Sequence, residues 1–114
     1  MFKVLGLSTK NEPGFYKGKH FTEYVDKVKS LMRENRLDDA EKLLLELVKA
    51  TEREARSEDG FGVAPWYYER LAVLYRKKKD LESEIAVLER FSRQEHGPGS
   101  MPPKLLARLE KLKK

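Results

Sequence analysis

The chain is expected to be all-α: two helical hairpins and a C-terminal closing helix, preceded by an irregular N-terminal arm. Three observations carry that expectation. Apolar residues recur at steps of three and four through five successive segments, the period of one helix face. The gaps between segments hold residues that stop helices, such as Asn35-Arg36, Lys79-Asp80 and His96-Gly97-Pro98-Gly99. Charged residues make up 38% and apolar ones 39% of 114 residues, a mix that suits helices with one wet face and not a membrane span.

A chain of this length is expected to form one domain with a modest core. It contains no cysteine, so no disulfide, zinc-thiolate site or thiol chemistry is open to it. The early apolar run from Val4 to Leu7 is broken by Gly6 and is too short for a signal-peptide core. A cytoplasmic location is therefore expected. The net charge of +5 is uneven. Residues 1–19 carry four lysines against Glu12, residues 20–60 are acidic on balance, and residues 96–114 carry five cations against Glu110. Basic ends attract nucleic acid weakly whatever the function, so charge alone does not define a partner.

Residues 1–19 are read as an arm. Phe2 and Val4 alternate with other residues, as a short strand would, and Asn11-Glu12-Pro13-Gly14 is a turn signal. Phe15 and Tyr16 are expected to lay the arm over the helices. Gly14-x3-Gly18-Lys19 invites comparison with a phosphate-binding loop, but it is one residue short, and His20 stands where Ser or Thr should hold a metal.

Helix one is expected from Phe21 to Glu34, with Phe21, Tyr24, Val25, Val28, Leu31 and Met32 on its apolar face and Thr22 as its cap. Helix two follows from Leu37 to Arg56. Its stripe is Leu37, Ala40, Leu43, Leu44, Leu47 and Val48, and Asp38, Asp39 and Glu41 favour the positive end of its dipole. Its last turns, from Thr51 to Arg56, are polar all round and are expected to project or fray. Residues 57–64 read as a linker.

Pro65 fits the first turn of helix three, expected from Pro65 to Lys78. Trp66, Tyr67, Tyr68, Leu71, Leu74 and Tyr75 occupy more than one stripe, so this helix should lie between neighbours. Asp80 is placed to cap helix four, expected from Leu81 to Glu95 with Leu81, Ile85, Leu88 and Phe91 as its stripe. Helix five is expected over residues 102–114, with Ser100 as cap and Leu105, Leu106, Leu109 and Leu112 facing inward. Its basic residues could also meet an anionic membrane surface, but the stripe is narrow and lacks aromatic anchors, so capping is favoured and no membrane partner is expected.

Tyr68, Leu71, Ala72 and Tyr75 follow the pattern aromatic-x2-Leu-small-x2-Tyr. This resembles the opening half of a tetratricopeptide repeat (TPR). Helices one and two fall on helices three and four at a constant displacement of 44 residues. Tyr24 meets Tyr68, Val28 meets Ala72, Leu31 meets Tyr75, Leu37 meets Leu81, Leu44 meets Leu88 and Leu47 meets Phe91. A standard repeat is about 34 residues, and the surplus sits in the polar tail of helix two and the linker. Two positions depart from the pattern: Glu84 answers small Ala40, and Lys27 answers Leu71. The resemblance covers residues 21–95 and implies a right-handed α-α superhelix of two TPR-like hairpins. The alternative on the same stripes is a generic antiparallel bundle.

The resemblance also implies a concave groove lined by the first helix of each hairpin. Its wall residues would be Thr22, Val25, Lys29, Met32 and Arg33 on helix one, and Trp66, Glu69, Val73, Arg76 and Lys77 on helix three. Four of the ten are cationic, and Val25, Met32, Trp66 and Val73 add apolar surface. Such a groove suits an extended acidic peptide with an apolar anchor. The run Arg76-Lys77-Lys78-Lys79 also reads simply as a soluble helix end.

No nucleophile–base set, metal-ligand spacing or cofactor fingerprint stands out. His20 and His96 lie at helix boundaries, and the Glu residues are interleaved with Lys and Arg at helical spacing. The chain is therefore expected not to be an enzyme and to hold no metal or cofactor. The favoured function is a protein-interaction scaffold for an acidic peptide or protein. The alternatives are a nucleic-acid accessory protein acting through the basic ends, and a structural subunit that forms homo-oligomers through an uncovered repeat end.

Overall fold

The computed structural model describes residues 12–57 and 60–114, and in them a short β-ribbon precedes five α-helices. The expected strand at Phe2 and Val4 lies outside the described residues. The chain divides into two compact units, one ending at Gly60 and one running Phe61–Lys114. None of the described helices is long and apolar enough to cross a membrane.

The first unit opens on a ribbon where the sequence reads as an irregular arm. Strand β1 (Phe15–Tyr16) pairs antiparallel with β2 (Lys19–His20), placing Tyr16 opposite Lys19. Lys17 and Gly18 join them, both at positive φ (51° and 85°), as a two-residue hairpin loop with the twist of its strands requires. Two adjacent aromatic residues and a glycine at the loop's second position make this pairing possible in so short a segment.

A 3₁₀ turn at Phe21–Tyr24 leads into α1 (Val25–Arg33). The expected cap is displaced. Thr22 lies inside the turn, and its backbone N–H donates to the Nδ1 of His20 at 3.3 Å, so His20 is the cap. Helix α2 (Leu37–Ala55) packs against α1, and Val28, Leu31, Ala40, Leu44, Leu47 and Val48 are buried. The tail of α2 does not fray. Ala50, Thr51 and Glu52 are buried, and the ribbon supplies the reason: β1 packs on α2. Arg53 donates to the carbonyl of Phe15 at 2.9 Å, and Glu54 takes the Nε2 of His20 at 2.6 Å.

In the second unit, α3 (Pro65–Lys77), α4 (Leu81–Ser92) and α5 (Met101–Leu112) all pack on one another. Helix α3 buries Tyr67, Tyr68, Leu71, Ala72, Leu74 and Tyr75, the broad face expected of a helix between neighbours. Burial pushes the Tyr67 phenol up to about 12. The buried face of α4 is rotated from the expected stripe. It carries Glu84, Val87, Leu88 and Phe91, while Leu81 is 54% exposed. Helix α4 also stops three residues early, because Gln94 and His96 take the carbonyls of Arg90 and Phe91. Ser100 precedes α5 but makes no capping hydrogen bond, whereas Asp80 caps α4 as expected, accepting from the Ser83 N–H at 3.1 Å. Before α3, Val63 forms a parallel bridge with His96, its N–H donating to the carbonyl of Glu95 at 3.0 Å.

The two helical turns match bond for bond. After α1, Asn35 (φ 59°) donates to the Met32 carbonyl at 3.0 Å and Arg36 to that of Leu31 at 2.9 Å. After α3, Lys79 (φ 59°) donates to Arg76 at 3.0 Å and Asp80 to Tyr75 at 2.9 Å. Each pair is a Schellman closure, in which a left-handed residue lets two N–H groups satisfy the last free carbonyls. Every donor and acceptor in the second turn lies 44 residues beyond its counterpart in the first, the displacement that aligns Tyr24 with Tyr68.

Candidate functional site

The wall residues expected from the repeat fall on α1 and α3, the first helices of their respective hairpins, except Thr22, which lies in the 3₁₀ turn before α1. In the first unit Lys29 and Arg33 are exposed and Val25 is half-buried, while Met32 is only 8% exposed and offers a ligand little surface. Arg33 donates to the Ser30 hydroxyl at 3.3 Å. Thr22 is exposed, its hydroxyl 2.9 Å from the Nδ1 of His20. In the second unit Lys77 is exposed, and Trp66 and Val73 are half-buried. The Trp66 ring meets Tyr67 edge-on at 4.9 Å. Glu69 spends its carboxylate on Arg70 at 2.7 Å.

Arg76 is engaged inside its own unit. Its Nε donates to the Oε2 of Glu84 at 3.1 Å, and the Nε of Arg108 on α5 reaches the same oxygen at 3.2 Å. Glu84 is 2% exposed. A carboxylate removed from water so completely persists only with charged or hydrogen-bonding partners. Here helices α3 and α5 each supply one. Arg76 is thus a structural partner of a buried acid as well as a surface cation. Lys113, just past the end of α5, adds a second link to α4, reaching Glu89 at 2.9 Å.

The first unit contains a hollow of about 480 Å³ whose lining comes from segments separated in sequence. Ribbon, α1 and α2 each furnish part of it. The ribbon contributes Tyr16, Lys17 and Lys19. Tyr24 and Lys27 follow at the start of α1, with Leu31 one turn on, and Arg36, Asp39 and Leu43 close the far side. The Tyr24 hydroxyl donates to the Tyr16 carbonyl at 2.6 Å, tying the ribbon to the helix. Burial, reinforced by neighbouring Tyr16, raises the Tyr24 phenol above its ordinary value. The two tyrosine rings lie 5.6 Å apart, and the Lys17 ammonium sits 5.4 Å over the Tyr16 ring. Arg36 is committed to Asp39, donating from Nε and Nη2 at 3.1 and 2.9 Å, and these bonds raise its already high pKa. Lys17, Lys19 and Lys27 make no ion pair with a described carboxylate.

One signal for this hollow was present in the sequence. Lys27 stands where the second hairpin has Leu71, and Leu71 is fully buried while Lys27 is exposed. The other signal was the spacing of aromatic and basic residues around Lys17-Gly18, which only a folded ribbon turns toward one place.

Thr22, His20 and Glu54 form a row of hydroxyl, imidazole and carboxylate. Because the Nδ1 of His20 accepts from the Thr22 N–H, its Nε2–H faces Glu54. Nε2 thereby closes the ribbon onto α2, while Nδ1 caps the 3₁₀ turn. Gly14 sits against this pair at φ 87°, where a Cβ would come within 2.7 Å of the Glu54 Oε2. Among the described residues no group of His, Asp and Glu is placed to hold a metal. Comparison with protein-family models, with curated proteins and with solved structures finds no match to this chain.

Proposed function

We propose that this chain is a non-catalytic interaction module, a pair of TPR-like hairpins in a right-handed α-α superhelix closed by α5, which captures an acidic peptide or protein. The observation that carries the reading is the pair of Schellman closures repeated at 44 residues, because it makes the two hairpins copies of one structural idea. Stacked hairpins of this kind gain stability from their neighbours and present a continuous recognition surface. The repeat brings Arg33 and Lys77 to equivalent positions at the ends of α1 and α3, both exposed. The excess of cations on these helices favours a carboxylate-rich ligand.

The test uses Arg33→Glu combined with Lys77→Glu, and leaves Arg76 alone because reversing it would set a second carboxylate against buried Glu84. Binding of a fluorescein-labelled glutamate-rich peptide is followed by anisotropy, with a neutral peptide and a single-stranded oligonucleotide of equal length alongside. The acidic peptide should bind best, and the double reversal should weaken it about tenfold without changing helical circular dichroism. Unchanged binding in that variant removes the groove from the reading. Preference for the oligonucleotide would move the function to the nucleic-acid alternative.

A further inference from the structure

We infer that the hollow beneath the N-terminal ribbon is an anchoring site for an acidic segment of the partner, one that places a carboxylate cluster among Lys17, Lys19 and Lys27 and an aliphatic side chain against Leu43, which buried Leu31 backs. This rests on the proposed function and adds to it a site away from the expected groove residues.

Charge is the first argument. Arg36 and Asp39 satisfy each other, so they cancel, and the three lysines, none ion-paired with a described carboxylate, give the lining of the concavity a net positive charge. Lysine ammonium groups on long stems adapt to a cluster of acids without demanding one planar geometry. The floor is the second argument. Half-buried Leu43, backed by buried Leu31, gives a small apolar patch inside a cationic rim, an arrangement that favours a ligand with both characters.

The rings decide between ligand classes. Sites that hold single-stranded nucleic acid typically add free aromatic faces on which its bases stack. Tyr16 and Tyr24 lean on one another, and Tyr16 also carries Lys17 over its face. The rings therefore act as packed walls, and the hollow fits a peptide better than bases. Position matters too. The ribbon holding Lys17 and Lys19 is fastened by His20 to Glu54 and by Tyr24 to Tyr16, so two of the three lysines sit on an anchored element.

The experiment compares two charge reversals of equal size with the full chain: Lys19→Glu with Lys27→Glu in the hollow, and Lys104→Glu with Lys111→Glu on α5. The probe is a labelled peptide of ten glutamates with one central leucine, and a second probe carries serine in place of the leucine. The hollow variant should bind the leucine peptide about tenfold more weakly than the α5 variant does. The unmodified chain should prefer leucine over serine about threefold or more. Lys19→Gln with Lys27→Gln should lose an intermediate amount, and all variants should keep the circular dichroism of the parent. Equal loss in the two reversals, or no preference for leucine, overturns the site. If Arg33→Glu with Lys77→Glu weakens binding while the hollow variant does not, the inference fails and the proposed function stands. If the unmodified chain does not distinguish the acidic peptide from a neutral one, the proposed function fails with it.

Discussion

Ala40 and Glu84 occupy the same place in two hairpins that turn by the same hydrogen bonds, and both are buried. The first hairpin fills that place with a methyl group, so α1 and α2 close without a charge between them. The second fills it with a carboxylate and surrounds it with Arg76 and Arg108. The two solutions are alike in burial and opposite in chemistry. The difference is set by what else each unit contains: α5 brings Arg108, and the first unit has a methionine, Met32, where the second has Arg76. Backbone closure and side-chain content can thus vary independently, provided a buried acid is given its partners.

Transplanting the acid should break the comparison most. Ala40→Glu places a carboxylate in a fully buried site of the first hairpin with no described guanidinium opposite, and should cost about 3–5 kcal/mol by chemical denaturation. Adding Met32→Arg, the counterpart of Arg76, should return about 1 kcal/mol of that loss. If Ala40→Glu alone is tolerated, the two positions are not equivalent.

The shared turn gives a smaller effect. Lys79 and Asn35 both hold φ 59°. Lysine pays more than asparagine for the left-handed region, since asparagine's short amide side chain tolerates it. Lys79→Gly should therefore stabilise by about 1 kcal/mol, and Asn35→Gly by clearly less. Equal gains, read from urea midpoints, would mean the turns are not strained alike.

Acid should separate the hairpins most gently. Asp80 accepts from the side chain and then the backbone N–H of Ser83, and these bonds hold its carboxyl below the ordinary 3.8. A lowered folded pKa means the contribution is complete above the unfolded value and is lost as pH falls through the folded one. Arg36, its counterpart in the first hairpin, does not titrate in that range. Helix α4 should therefore fray first on acidification below the ordinary aspartate value, seen as earlier loss of amide signals in residues 81–84. In Asp80→Asn that pH-dependent step should vanish.

The helices and both turns were legible because their causes are local. Steps of three and four marked the faces, and Asn35, Lys79 and Asp80 carried the chemistry of ending and starting a helix. What escaped depended on partners distant in sequence. The tail of α2 is polar by composition, yet it is covered because a ribbon thirty-odd residues earlier lies on it. Leu81 fitted the stripe of α4, but the helix turns Glu84 and Val87 inward because Arg76 and Arg108 make a buried acid acceptable there. The hollow was the least visible feature. Its lysines are divided between the ribbon and α1, and Lys27, out of place against Leu71, was the clearer hint that the first hairpin keeps an opening where the second is filled.

The bridge between Val63 and His96 has a use in the laboratory. It forms only when the chain has run out along α3, back along α4, and returned to its starting point. Val63 is 4% exposed, and its amide proton is held by the Glu95 carbonyl. Solvent deuterium can replace that proton only while the two ends of the hairpin stand apart. A single resonance in a hydrogen-exchange series would thus report the free energy of opening the second hairpin, without a mutation.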